Sequence, residues 1–384
     1  MIDLVELRRD LHAHPELARQ ERRTTDVVVD VLQNAGLKPR VLASGTGLIC
    51  DVGSQSGPTI ALRADLDALP IQDQKSVSYR STTPGVAHAC GHDAHTTILT
   101  GVALQLVGRA SLNGTVRLIF QPAEESPMSG ALDVIAEGGL EQVDAIFALH
   151  CDPSNPVGHI GTRVGAITSA QDRIGISLHG PGGHSARPDL TPNPIDVMAR
   201  LITSLPDVVN EQLSAGQKIA IGFGSVSSLG VANAIPSHVE ATGTVRIPDA
   251  ELWPDAPRLV EEAVATIVSG CGLQSELGYQ RVCPAVVNDF DATSALLSAA
   301  RELVGAACTY EAPQSLGGED FAWYLRHVPG ALARLGVRIP TTDQQVDLHS
   351  GFFDIDERAI PIGVDLLVDT AVAALQAYSR QRTR

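Results

Sequence analysis

Apolar residues recur every three or four positions between residues 3 and 37, with an interruption at His14-Pro15. This spacing predicts two helices, the second of which ends at Gly36. Strand-like apolar runs follow at 48–52, 59–63, 116–120 and 145–149, with helical segments at 98–109 and 130–140. Strands that alternate with helices predict an α/β domain built on one sheet.

The pattern changes in the middle of the chain. Strand, helix, strand, strand, helix and strand are predicted in turn at 173–179, 193–209, 218–229, 239–247, 254–268 and 273–282. This βαββαβ order is the ferredoxin-like split motif, which forms a small domain by itself. The helix–strand alternation resumes at Asp291 and ends in a helix at 362–378. We therefore predict an α/β domain formed by residues 1–172 and 286–384, with an inserted domain at 173–285.

Composition and charge narrow the function classes. The 384 residues are 44% hydrophobic and 19% charged, which is typical of a globular protein. The net charge of -16, with no block of Lys or Arg to offset it, argues against nucleic acid as a partner. No run of about 18 apolar residues predicts a membrane span, and the first nine residues lack the apolar core of a secretion signal. The six cysteines form no CxxC pair, so we expect a cytoplasmic protein with reduced thiols.

The densest chemistry lies at residues 88–95, which read His-Ala-Cys-Gly-His-Asp-Ala-His. Imidazole and thiolate are preferred ligands of zinc-like ions. Cys90 and His92 flank one glycine, so a tight loop can direct both side chains to one point. No second Cys/His pair follows at zinc-finger spacing, and the other ligands must therefore come from distant segments. This predicts an open, catalytic metal centre, with a helix start that carries incidental histidines as the alternative.

Two pairs of carboxylates follow predicted strands. Asp65 and Asp67 come after the strand at 59–63, where they can bind a metal, orient a ligand histidine or simply form a turn. Glu124 and Glu125 follow the strand at 116–120. Because adjacent side chains point in different directions, one can bind a metal while the other accepts a proton from an attacking water. A solvated acidic turn is the alternative for this pair.

Further candidates lie far along the chain. His150 follows the strand at 145–149 and His349 lies in a DLHSG segment, although either alone is more often an ordinary histidine. In the inserted domain, His184 lies in the glycine-rich segment GPGGHSARP and can donate a hydrogen bond to a developing oxyanion. Asn233 and Arg246 are candidate substrate-binding residues, because arginine binds a carboxylate through two hydrogen bonds. A surface charge is the alternative for Arg246.

Taken together, these motifs resemble the metal-dependent amidohydrolases of the aminoacylase and glutamate-carboxypeptidase family. Within it, the sequence is most similar to the branch of hippurate hydrolases, N-acyl-amino-acid amidohydrolases and auxin-conjugate hydrolases. The resemblance covers nearly the whole chain, and HExxH, GxSxG and GxxxxGK[ST] motifs are absent from the sequence. It rests on LRRDLHAHPEL (7–17), ALRADLDALP (61–70), HACGHDAH (88–95), QPAEE (121–125), GGHSARP (182–188), GGEDF (317–321) and LHSGFFDIDE (348–357).

The resemblance implies a zinc-peptidase-like catalytic domain with an inserted ferredoxin-like domain that acts as a lid and forms a homodimer. It implies two divalent metal ions per subunit, zinc or manganese with cobalt as a further option. Their ligands would be Cys90, His92, Glu125, His150 and His349. Glu124 would be the general base and proton shuttle, with Asp67 close to the metals, and His184 would reach the active site of the neighbouring subunit.

We therefore predict a metal-dependent amidohydrolase that cleaves the amide bond of N-acyl-amino acids or related small conjugates. A di-metal dipeptidase or carboxypeptidase is one alternative, and turnover of dipeptides would distinguish it. A non-catalytic binding module on the same fold is another, and the presence of Glu124 argues against it.

Overall fold

The computed structural model describes residues 2–54, 56–109, 112–340 and 346–382. In chain order, the helices are α1 Leu4–Ala13, α2 Arg22–Asn34, α3 His92–Val107, α4 Gly130–Ala136, α5 Pro194–Asn210, α6 Ala256–Val268, α7 Phe290–Val304, α8 Ala322–Leu325 and α9 Ala359–Arg382. The strands are β1 Arg40–Val41, β2 Leu48–Gly53, β3 Thr59–Asp65, β4 Thr115–Gln121, β5 Ala145–Pro156, β6 Ile160–Thr162, β7 Gly165–Ala166, β8 Ala170–His179, β9 Gly183–His184, β10 Ala220–Ser227, β11 Ala234–Ile235, β12 His238–Ile247, β13 Gln274–Cys283, β14 Val287–Asn288, β15 Thr309–Glu311 and β16 Gly330–Arg338.

The chain divides into two compact units. Unit 1 comprises Met1–Ile167, Val286–Pro313 and Asp320–Arg384, and unit 2 comprises Thr168–Ala285 and Gln314–Glu319. Each unit has its own sheet.

Unit 1 contains an eight-stranded sheet in the order β1-β2-β4-β3-β5-β16-β6-β15. Strands β4, β3, β5 and β16 run parallel, whereas β1 and β2 are antiparallel to their neighbours. One apolar core joins the sheet to α2, α3, α7 and α9, and a second joins it to α4 and α8. Helices on both faces of a mostly parallel sheet confirm the predicted α/β class.

The helices α3 and α9 pack closely at glycines. A Cβ atom on Gly363 would lie 2.7 Å from Ile98, and one on Gly101 would lie 2.7 Å from both Leu4 and Val364. By length and composition alone α9 is apolar enough to cross a membrane, with a mean hydropathy of 1.5 over its most apolar window. However, 61% of that window is buried inside the protein, as expected of a core helix.

Unit 2 contains an antiparallel sheet in the order β10-β12-β8-β13. Along β8, Ile174, Ile176 and Leu178 are buried and alternate with more exposed residues. Helices α5 and α6 also bury one apolar face each, which includes Leu201 and Val260. The six predicted elements occur in the predicted order, and this confirms the ferredoxin-like motif.

Two predicted element bounds near the candidate site are wrong. Helix α3 begins at His92 and not at residue 98, because the polar residues of its first turn interrupt the apolar pattern that the prediction followed. Strand β5 does not end before His150 but continues to Pro156, since β16 pairs with it beyond this point through Leu335 and Gly336. Cys90 therefore lies just before a helix, and His150 lies within a strand.

Candidate metal centre

The predicted metal ligands of unit 1 lie close together in two groups that share one residue. Ligand atoms of Cys90, His92 and His150 all lie within 4.8 Å of one another, and so do those of Cys90, Glu125 and His349. Cys90 thus lies between the two groups, as expected of a ligand that bridges two ions. Gly91 makes this possible, since it has a φ of 88° and directly precedes α3.

Local hydrogen bonds orient two of the histidines toward Cys90. Nδ1 of His150 contacts the carbonyl oxygen of Cys151 at 2.8 Å, and its Nε2 lies 3.5 Å from the Cys90 sulfur. Nδ1 of His92 contacts the carbonyl oxygen of Asp67 at 2.8 Å. A carbonyl partner assigns the proton to Nδ1 and leaves Nε2 free to bind a metal. Burial also holds the pKa of His150 well below its ordinary value, which favours the neutral imidazole that metals require.

The donor set fits divalent ions. Nε2 of His92 is buried and has no hydrogen-bond partner in the described part of the chain, and the Asp65 oxygen nearest to it is 3.7 Å away. A buried ring nitrogen without a partner is unfavourable unless another group, such as a metal, contacts it. One thiolate, three imidazoles and a carboxylate are ligands that suit zinc and related ions.

Glu124 and Glu125 lie at the edge of this cluster. Ligand atoms of His92, Glu124 and Glu125 are within 4.8 Å of one another. Nε2 of His349 lies 3.2 Å from Glu125 Oε1, and contacts with Cys90 and Glu125 raise the pKa of this histidine to about 10. His349 is the most exposed member, with 53% of its side chain accessible, so this side of the cluster is open to solvent.

Asp67 orients three residues of the cluster through hydrogen bonds. Its Oδ1 accepts a hydrogen bond from the amide of Glu124 at 3.0 Å, and its Oδ2 accepts one from the amide of Glu125 at 2.9 Å. Its carbonyl oxygen contacts His92, as described above. One aspartate therefore fixes both glutamates and one histidine, although it belongs to none of the candidate ligand groups.

A further group, formed by Asp65, His92 and His95, has suitable spacing, but the side chains of Asp65 and His95 are already engaged with other residues. Nδ1 of His95 lies 2.7 Å from Asp65 Oδ1, and its Nε2 accepts a hydrogen bond from the amide of Cys151 at 2.9 Å. Asp65 also pairs with Arg63 at 2.7 Å. Although burial opposes it, the positive field of His92, His95 and Arg63 keeps the pKa of Asp65 well below its usual range. Asp65 and His95 therefore form a supporting network next to His92.

Sequence reasoning missed two further supporting networks. Arg8 and His12 both contact Asp93 Oδ2 at 2.7 Å, and this fixes the first turn of α3 next to His92. Asp320 contacts Arg63 at 2.8 Å and Gln121 at 2.8 Å. These residues lie in segments that carried the family resemblance, which was the only signal available. Their roles depend on contacts between residues more than 50 positions apart in sequence.

Unit 2 places the remaining candidates at two separate positions. His184 lies on β9, which pairs with β11, and the amide of Ser185 donates to the carbonyl oxygen of Asn233 at 3.2 Å. Arg246 lies near the other end of the sheet, where it pairs with Gln171 on β8. Strand β8 pairs with β12 as far as His179, and the chain then continues to His184. Gln171 and His179 are eight positions apart along β8, which corresponds to roughly 26 Å of strand.

Arg246 lacks an acidic partner. Its guanidinium donates to Gln171 Oε1 at 2.5 Å and contacts no carboxylate among the residues that the structure describes. Burial lowers its pKa from the ordinary value. A half-buried guanidinium whose charge is not compensated is suited to bind an anionic group of a ligand.

Comparisons with known proteins agree with the fold and with a metal-dependent enzyme. A family model described as Peptidase family M20/M25/M40 matches residues 61–373. A Bacillus subtilis N-acetylcysteine deacetylase is 37% identical over 383 residues, with 97% of each chain covered. The crystal structure of the Bacillus subtilis YXEP protein, described as a dinuclear metal binding peptidase from the M20 family, has a TM-score of 0.84 and 34% identity, with 97% of each chain covered.

A Rhodococcus jostii protein that carries the name of a glutamate–cysteine ligase is 49% identical over 365 residues. The match covers 95% of this chain, but the chain spans only 46% of the length of that relative. The chain belongs to Peptidase family M20/M25/M40. Membership confirms the predicted enzyme class, a metal-dependent amidohydrolase.

Proposed function

We propose that this protein hydrolyses the amide bond of N-acyl-amino acids or related small conjugates. The observation that carries the proposal is the position of Cys90 in two ligand groups, with Glu124 beside the second group. Two divalent ions bound there would supply an acidified water and would polarise the substrate carbonyl. The named N-acetylcysteine deacetylase among the relatives supports this substrate class.

Glu124 is the proposed general base. Its carboxylate takes a proton from the attacking water and then transfers it to the nitrogen of the leaving amine. Glu125 would instead hold a metal ion, because its carboxylate lies within ligand distance of both Cys90 and His349. Asp67 allows the two glutamates to take different roles, because it fixes the backbone from which each side chain projects.

Arg246 is the proposed site for the carboxylate of the amino acid, because its charge is not compensated in unit 2. His184 is proposed to donate to the carbonyl oxygen as negative charge develops on it, and Asn233 lies beside it. Gln171, the partner of Arg246, and His179, where β8 ends before the segment that carries His184, are separated by roughly 26 Å of strand, which is longer than a small N-acyl-amino acid. On this separation, contact of both Arg246 and His184 with one substrate requires two copies of the chain.

This requirement supports a homodimer in which residues 173–285 form the lid and the dimer interface. Three apolar side chains on or just after β10 are exposed, namely Val226, Leu229 and Val231, with exposed fractions of 55%, 99% and 67%. Exposed apolar clusters of this kind are typical of protein interfaces. Paired through such a surface, each active site takes Glu124 from one subunit and His184 from the other.

We further propose zinc or manganese as the working ions and the cytoplasm as the location. The thiolate of Cys90 favours zinc, and cobalt can replace either ion. None of the six cysteines, all of which lie in the described part of the chain, forms a disulfide, and this is compatible with a reducing compartment.

A substrate screen with metal exchange tests the proposal. Purified enzyme should lose all hydrolysis of N-acetyl- and N-benzoyl-amino acids after chelation, and zinc, manganese or cobalt should restore it. Full activity in a sample verified as metal-free would exclude the proposed mechanism. Faster turnover of dipeptides than of N-acyl-amino acids would favour the dipeptidase alternative, which the description of the YXEP protein as a peptidase makes worth testing. Metal binding without turnover of any amide would favour a binding module.

A further inference from the structure

The turn before Glu124 has an unfavourable backbone conformation. Ala123 has a φ of 56°, in the left-handed region that side chains other than glycine rarely adopt. The segment that begins at Ala123 folds back so that its two ends are in contact, since the amide of Gly130 donates to the carbonyl oxygen of Ala123 at 3.1 Å. A Cβ atom on Gly130 would lie 1.7 Å from the carbonyl oxygen of Pro122, so only glycine fits there. Such a conformation persists only when its surroundings enforce it.

Two carboxyl groups enforce it through three consecutive amides. Asp67 accepts hydrogen bonds from Glu124 and Glu125, as described above. Glu21 Oε1 accepts the hydrogen bond from the preceding amide, that of Ala123, at 2.8 Å. The amides of three successive residues therefore point to two acceptors that lie far away in the sequence. Successive amides that converge in this way form a concave anion-binding arrangement.

The side chain of Glu21 does not cap the helix that it precedes. Glu21 is the residue before α2, where a carboxylate commonly caps the helix, but its side chain makes no capping hydrogen bond. Glu16 caps α2 instead, and its oxygens accept the amides of Arg23 at 3.0 Å and Thr24 at 2.8 Å. Glu21 is nevertheless completely buried. Burial, with a contribution from Asp67, raises its pKa to about 7. Burial of a carboxyl group is unfavourable unless the group forms specific interactions, as Glu21 does with Ala123.

We propose that Glu21 is a positioning residue for the general base. Glu21 holds Ala123 in its left-handed conformation so that the base, Glu124, faces the metal cluster. This inference rests on the proposed function, in which Glu124 is the base. The required group is the acceptor oxygen of Glu21 and not its charge, because its contact with this turn is a hydrogen bond from the neutral amide of Ala123. Glutamine supplies the same acceptor, whereas an apolar side chain of similar size does not.

The test compares Glu21→Met with Glu21→Gln in the full-length, metal-loaded enzyme. Glu21→Met keeps the volume but removes the acceptor, so we expect kcat to fall by roughly 10–100-fold, the scale of a small misplacement of a catalytic group. KM and metal content should stay near wild type, and Glu21→Gln should keep kcat within about threefold. If Glu21→Met does not fold, Glu21→Ala takes its place.

Glu16→Ala is the matched control, because Glu16 caps α2 without contacting residues 123–125. Hydrogen exchange at the amides of 123–125, followed by mass spectrometry, gives a readout that does not depend on turnover. Exchange there should accelerate in Glu21→Met but not in Glu16→Ala. Equal losses of kcat and melting temperature in both variants, with unchanged exchange at 123–125, would overturn the proposal.

The outcomes separate this inference from the proposed function. Absence of N-acyl-amino acid hydrolysis by the metal-loaded wild type would refute the proposed function itself, and wild-type kcat in Glu124→Gln would refute the assignment of the base on which this inference rests. If Glu124→Gln is inactive but Glu21→Met has wild-type kcat and wild-type hydrogen exchange, the proposed function stands and only the role of Glu21 is refuted.

Discussion

Nε2 of His95 accepts a hydrogen bond from the backbone amide of Cys151 at 2.9 Å. On the opposite side of the ring, Nδ1 contacts Asp65. Both nitrogens are thus occupied, and His95 connects Asp65 to the peptide that follows the candidate ligand His150. Cys151 in turn accepts the Nδ1 proton of His150 through its carbonyl oxygen. His95 therefore fixes the direction of a ligand without being one.

Replacement of His95 should weaken metal binding. His95→Leu removes the acceptor for the Cys151 amide, so His150 loses its support, and affinity for zinc should fall by roughly 10–100-fold. His95→Gln keeps an acceptor near the Nε2 position and should lose less. Calorimetric titration of zinc into the metal-free proteins measures both effects. Unchanged affinity for two ions in His95→Leu would mean that His95 serves only the core.

The two adjacent glutamates should differ in their response to the same change. Glu124→Gln cannot accept a proton, so turnover should fall by at least ~10²-fold while metal content stays near normal. Glu125→Gln should instead lower metal content, because this side chain is a proposed ligand. Activity assays combined with metal analysis of both variants provide the measurement. The reverse result would exchange the two assignments.

Arg246 should matter only for substrates that carry a carboxylate. Arg246→Ala is expected to raise KM for N-acyl-amino acids far more than for the corresponding amides, because only the former need a cation. Arg258→Ala is the control, since Arg258 belongs to the same unit but forms an exposed pair with Glu262 on α6. Equal losses for both substrate types would assign a structural role to Arg246.

The proposed exchange of His184 between subunits can be tested by complementation. His184→Ala and Glu124→Gln should each be nearly inactive alone. When subunits exchange, a mixed dimer has one intact site and one doubly altered site. Random pairing places half of the dimers in this form, so activity should return to about a quarter of wild type. Verified exchange without recovery would show that His184 does not act in the neighbouring subunit.

The raised pKa of Glu21 predicts a pH-dependent stability difference. In the unfolded chain this carboxyl loses its proton near its ordinary pKa of 4.5, but in the folded protein it does so at about 7. Between these values the folded state binds more protons, so the contribution of Glu21 to the free energy of unfolding decreases as pH rises. Glu21→Gln does not titrate there. Its stability relative to wild type should increase over this range, by about 3 kcal/mol at most.

Urea unfolding of both metal-free proteins at pH 5 and pH 7.5 measures this difference. Parallel curves for wild type and Glu21→Gln would show that Glu21 titrates at an ordinary pKa in the folded protein. Glu16→Gln is again the control, because Glu16 accepts two amide hydrogen bonds but is not fully buried.

The order of helices and strands was predictable because it follows from local patterns. Apolar spacing alone was sufficient for α1, α2 and the six elements of the ferredoxin-like motif, since each of these buries one face. Spacing missed the first turn of α3, because His92, Asp93 and His95 are buried but polar and do not continue the apolar pattern. It also failed for short strands such as β6 and β15, whose existence depends on pairing with distant partners.

The sequence by itself determined which chemical groups are available: a thiol and histidines in one short segment, adjacent glutamates after a strand, and two distant histidines. Residue type and local spacing are enough for that. Only the tertiary structure decided how these groups are used. Glu21 and Ala123 are 102 positions apart, His95 and Cys151 are 56 apart, and neither contact leaves a trace in local sequence. Hydrogen-bond geometry depends on distances of a few tenths of an ångström between such segments, and packing of the whole fold sets those distances.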